Sequence, residues 1–106
     1  MYKLCVFVPE SHLEPVKQAV FAAGAGRIGN YEHCCWQTLG TGQFRPLPGS
    51  QPHLGELGEL EQVPEWKLEL VLEADRLASV MEAMYRAHPY EEPAFDLIQL
   101  VTFKSP

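Results

Sequence analysis

The sequence predicts an α+β fold of the ferredoxin-like kind, a βαββαβ sandwich with an antiparallel sheet and two helices on one face. Three observations carry that prediction. Alternating apolar patterns, the mark of strands, open the chain at "YKLCVFV" and recur at "WKLELVLEA". Each is followed by a stretch with apolar residues at helical spacing. A Gly/Pro-rich connection then divides the chain into two β-α-β units, which together make the sandwich. With 106 residues the chain suits one domain, 1–106.

In the first strand Tyr2, Leu4, Val6 and Val8 point one way, and Lys3, Cys5 and Phe7 the other. Ser11 and Glu14 then have the spacing of a capping box. Leu13, Val16, Val20 and Ala23 form a helical stripe, which Gly24 and Gly26 are suited to end, so helix one is expected over 12–23. "NYEHCCWQTLG" is rich in aromatic and small apolar residues, and a second strand is expected over 31–39.

From Gly40 to Gly58 the chain holds five of its eight glycines, with Pro46, Pro48 and Pro52, and reads as a long loop at about 40–58. Strand three follows, with Trp66, Leu68, Leu70 and Leu72 inward and Lys67, Glu69 and Glu73 outward. Asp75 is a candidate cap for helix two. Its stripe is Leu77, Val80, Met81, Met84 and Tyr85, and Pro89 ends it, because the residue before a proline avoids helical geometry. The last strand is expected over 94–103. In this topology strands one and three are central. The last strand is an edge with apolar residues on both faces, which calls for a partner, so a homo-oligomer is expected, a trimer before a dimer.

Composition narrows the function classes. A net charge of −6 without a Lys/Arg stripe argues against nucleic acid. No run of about eighteen apolar residues is present to span a membrane. Pro9 and Glu10 end the first apolar run too early for a signal peptide, so a cytoplasmic protein translated without a leader is expected. Three cysteines, Cys5, Cys34 and Cys35, argue against a disulfide framework.

The strings "GAGRIGNY" and "HPYEEPA" resemble the CutA/PII-like domain inserted in the Nif-three-like (YqfO-type) family of dinuclear-metal proteins, over Gly24 to about Leu100. "HPYE-x-P" also resembles the segment before the last strand of CutA proteins. The resemblance implies a ferredoxin-like fold and a trimer. It assigns Gly26, Gly29, Asn30, Tyr31, His88, Pro89, Tyr90, Glu91, Glu92 and Pro93 to family motifs. It also implies that the dinuclear site and any hydrolase chemistry belong to flanking halves for which this chain has no room. The chain looks like the inserted domain standing alone.

The densest chemistry is "AHPYEEPAFDL". Imidazole and carboxylate suit a divalent ion such as zinc, and His88, Glu92 and His33 are the candidate metal ligands. Tyr90, Glu91 and Arg45 are the candidate small-ligand residues. The competing reading makes His88 a helix terminator, Pro89 and Pro93 stiffeners of the turn, and Tyr90 packing. If 31–39 is a strand, His33 and Cys35 share one face and Cys34 takes the other. No C-x-x-C spacing supports a structural zinc, and the cysteines are expected to be buried as small apolar side chains.

"GAGRIGN" lacks the lysine and hydroxyl of a phosphate loop and follows a helix instead of opening one. Ser11, Ser50, Ser79 and Ser105 lie in no nucleophile motif. The expected function is a small, non-catalytic, regulatory oligomer binding a metal ion or small ligand. The alternatives are a pure interaction module and a metal-assisted hydrolase. The long loop either binds the ligand or is ordered by a neighbouring subunit, with Phe44 and Arg45 at the boundary in both cases.

Overall fold

The structure is a computed structural model that describes residues 1–101 and Phe103. Strands β1 (Tyr2–Pro9), β2 (Trp36–Phe44), β3 (Glu61–Leu72) and β4 (Phe95–Gln99) form one antiparallel sheet in the order β2-β3-β1-β4. Helices α1 (Leu13–Ala22) and α2 (Leu77–Ala87) follow β1 and β3. The ferredoxin-like α+β sandwich is therefore present, with β1 and β3 central and β2 and β4 at the edges. Among the described residues no helix is long and apolar enough to cross a membrane.

The core follows from strand alternation. Leu4, Val6 and Val8 of β1 and Leu68, Leu70 and Leu72 of β3 face the helices. There they meet Val16, Val20 and Phe21 of α1 and Val80 and Met84 of α2. Fully burying each such side chain contributes about 1.5–3 kcal/mol. The opposite face carries Lys3, Cys5 and Phe7 beside Glu65, Lys67 and Glu69, as the register Cys5↔Glu69 and Phe7↔Lys67 requires.

Helix α1 ends as its glycines predict. Gly24 has φ 105° and donates to the Phe21 carbonyl, while Ala25 donates to that of Val20, a Schellman closure. The helix starts differently. A 3₁₀ turn, Glu10–His12, precedes α1 and ends in its cap residue His12, and the Ser11 hydroxyl meets His12 Nδ1 at 2.8 Å instead of a free backbone N–H. The capping box does not form. Likewise a 3₁₀ turn, Ala74–Arg76, precedes α2, and Asp75 does not cap that helix.

Strand β2 lies later than expected. Residues 31–35 are irregular: Ile28 and Tyr31 exchange backbone hydrogen bonds at 2.9 Å around the turn at Gly29 and Asn30, and His33 follows at φ 58°. The alternation proposed for His33, Cys34 and Cys35 is absent, and only Cys5 is buried; Cys34 and Cys35 are half-buried. Instead β2 runs on through Gly40 and Gly42 to Phe44, paired with Glu61 at the start of β3. The expected 40–58 loop thus gives its first residues, up to Phe44, to strand β2, and later parts of it lie against the same chain. Gly58 donates to the Pro46 carbonyl and Ser50 to that of Leu47. Strand β4 stops at Gln99, short of the expected 103; Val101 is exposed, and residue 102 lies outside the described residues.

Candidate functional site

Helix α2 ends at Ala87 because His88 turns to extended geometry, ψ 133°, ahead of Pro89. The chain then crosses the C-terminal end of β1. The His88 ring is buried and uses both nitrogens. Nε2–H donates to the Phe7 carbonyl at 2.7 Å, and Nδ1 accepts from the Tyr90 N–H at 3.1 Å. Those partners fix the neutral Nε2–H tautomer. Burial holds the imidazole below its ordinary pKa, against the upward pull of the Phe7 carbonyl and the Glu65 carboxylate.

With His88 fixed, Tyr90 lies over the open face of the sheet. Its hydroxyl donates to Glu65 Oε2 at 2.9 Å. Burial and the adjacent carboxylate push the phenol pKa well above its usual value, so it remains a donor at neutral pH. The ring lies 5.1 Å from that of His88, 6.1 Å from Phe44 and 6.2 Å from His53. Glu65 reaches the phenol by lying across Gly42, where a Cβ would overlap its carboxylate. That contact gives a glycine inside an edge strand a reason to be there.

A cleft of about 300 Å³ opens between these elements, lined by Phe7, Phe44, His53, Glu65, Tyr90 and the carboxylates of Glu91 and Glu92, among others. The loop after β2 forms its far wall. The Gln51 N–H donates to Glu91 Oε2 at 2.8 Å, and His53 packs edge-on against His12 at 5.4 Å. The structure thus brings together Tyr90, Glu91 and Glu92. Arg45 is exposed and outside the lining. The loop is tied down by its own chain, so neighbouring subunits are not needed to account for these contacts.

The candidate metal set does not assemble. His33 stacks on Phe21 at 4.7 Å, beyond the other end of the sheet, where the Gly26 N–H meets the Val71 carbonyl. His88 sits near Glu65; six strand residues separate the two ends, about 20 Å. Among the described residues no group of three or more His, Cys, Asp or Glu side chains could hold a metal ion. Glu65, His53 and Phe7 are among the cleft residues that sequence reading missed. Glu65 lies just ahead of the alternating run that begins at Trp66, so no period singled it out.

No family model matches the chain. Curated relatives do. It is 50% identical over 99 residues to a GTP cyclohydrolase 1 type 2 homolog of Mycobacterium leprae, covering 93% of this chain and 26% of that protein. A Bacillus subtilis protein of the same name is 47% identical over 95 residues, covering 90% and 26%. A solved Bacillus cereus protein related to NIF3 superposes with TM-score 0.81 at 44% identity, covering 95% of this chain and 26% of that one. Over nearly its whole length the chain thus matches one part of these NIF3-related proteins. CutA from Archaeoglobus fulgidus shares the fold, with TM-score 0.68 at 14% identity, over 98% of this chain and 88% of that one. The chain spans about a quarter of the length of the curated relatives it matches.

Proposed function

We propose that this chain is a small, non-catalytic ligand-binding domain that works as a homo-oligomer, a trimer before a dimer, with a regulatory role. The observation that carries the reading is the Tyr90–Glu65 hydrogen bond at the centre of a cleft walled by separate parts of the chain. The cleft combines apolar and aromatic walls with a few convergent polar groups, the usual make-up of a small-molecule site. His88, the natural candidate for a base, has both ring nitrogens occupied, which favours binding over catalysis. The same occupation leaves it no free lone pair for a metal, so a small ligand is favoured over a zinc ion. The relatives' name refers to GTP cyclohydrolase; this chain matches only 26% of such a protein, and that activity is not assigned to this domain.

Exposed apolar residues support self-association. Trp36 is 68% exposed and Ile98 49%, at opposite edges of the sheet. A fragment screen followed by backbone amide shifts tests the binding role. Hits are expected to converge on Phe7, Phe44, Glu65 and Tyr90 and to be lost in Tyr90→Ala. Hits scattered elsewhere on a folded protein would refute the cleft.

A further inference from the structure

We infer that the ligand of this cleft is an organic cation, a protonated or quaternary amine carried on an apolar or aromatic body. The inference rests on the binding role proposed above and names the chemistry that the site selects.

Three carboxylates, Glu65, Glu91 and Glu92, line the cleft, and neither lysine nor arginine does. Among the described residues none of the three has an ion-pair partner. The nearest lysine along β3, Lys67, faces Glu69 at 3.9 Å instead. Glu91 accepts from the Gln51 N–H and Glu65 from the Tyr90 hydroxyl, and neither donor carries a charge, so among the described residues no cation offsets any of the three. Glu65 is held in place by the Tyr90 hydroxyl and by the absence of a Cβ at Gly42, so its charge is positioned before any ligand arrives. The remaining walls include the rings of Phe7, Phe44 and Tyr90, set among the aliphatic side chains of Pro46, Pro52 and Leu54. Ring faces attract cations through their quadrupole, and the attraction strengthens on desolvation.

An anionic ligand meets the reverse conditions. A phosphate or nucleotide would face three carboxylates with only His53 as a basic neighbour in the lining, and would be repelled. The volume, about 300 Å³, lies at the small end of the range for ligand sites and suits a ring bearing one charged group.

The test is calorimetry on the intact protein with three probes of one shape class: benzyltrimethylammonium, benzyl alcohol and benzyl phosphate. The cation is expected to bind at least about tenfold more tightly than the alcohol, and the phosphate most weakly. Added salt should weaken the cation alone. Glu65→Gln, which keeps the shape and an acceptor for Tyr90, should erase most of the preference; Glu92→Gln should reduce it, and circular dichroism confirms that each is folded. If the alcohol or the phosphate binds the cleft as tightly as the cation, or if both variants keep the full preference, the inference is overturned and the binding role stands. If no probe moves the amides of Phe44 and Tyr90, and no fragment does, both fail.

Discussion

The Tyr90 hydroxyl and the Glu65 carboxylate meet at 2.9 Å across 25 residues of sequence, joining the turn after α2 to the middle of β3. That bond ties the motif "HPYEEP" to the open face of the sheet. Both groups are half-buried, so the bond is neither fully screened nor fully desolvated.

Tyr90→Phe removes this bond and keeps the ring. A hydrogen bond to a charged group contributes about 1.5–3 kcal/mol, and partial exposure puts the expected loss at the low end, about 1–2 kcal/mol. Urea unfolding measures it. An unchanged midpoint would mean that the bond adds nothing to stability.

Gly42→Ala acts on the same bond from the opposite side. The added methyl overlaps the Glu65 carboxylate and displaces it from the phenol. The double variant with Tyr90→Phe should therefore cost less than the two single losses added together. Strict additivity would separate Gly42 from the pair.

His88 makes stability depend on pH. Its folded pKa is depressed below the ordinary 6.5 by burial. Between the folded value and 6.5 the unfolded chain binds more protons, so stability falls as pH drops through that window and is fully present above it. Protonation at Nδ1 would also strip the Tyr90 N–H of its acceptor. Urea midpoints should fall between pH 7.5 and pH 5 in the native protein and fall less in His88→Gln. Equal slopes would contradict the assignment.

Gly26→Ala should be among the most damaging single changes outside the core. Its φ is 79°, and a Cβ there would lie 2.8 Å from the Cys34 carbonyl oxygen, a backbone atom with little room to move. A loss of about 1–3 kcal/mol is expected from strain of this kind. Thermal unfolding reads it, with Gly29→Ala as the milder comparison, because open space surrounds that position.

Self-association should fail when a charge is placed on either exposed apolar edge. Trp36→Lys and Ile98→Lys are expected to lower the mass seen by light scattering. A native protein that is monomeric at micromolar concentration would remove the oligomer from this account.

The fold was legible where period and burial agree. Strand β3 alternates cleanly because one face meets the helices and the other is polar, and the stop at Pro89 follows from proline geometry alone. Strand β2 was misplaced because "NYEHCCW" has strand-like composition but turns tightly around Gly29, while Gly40 and Gly42 look like turn residues. Gly42 is strand because Glu65 lies against it, a tertiary cause that no local window contains. For the same reason half of the candidate site was legible. Tyr90, Glu91 and Glu92 are adjacent in sequence, whereas Phe7 and Glu65 reach them only through the sheet and His53 only through the loop after β2. Arg45 and His33 were nominated by chemical type, and the fold places neither in the cleft.

Fluorine resonances of protein labelled with 3-fluorotyrosine test the central claim most directly, because the chain has four tyrosines, Tyr2, Tyr31, Tyr85 and Tyr90, in four different surroundings. Tyr90→Phe assigns the resonance of interest. On addition of binding fragments the Tyr90 signal should shift and saturate while the other three stay in place. A Tyr90 signal that stays fixed while Tyr31 or Tyr85 shifts would place the binding surface elsewhere and contradict the account.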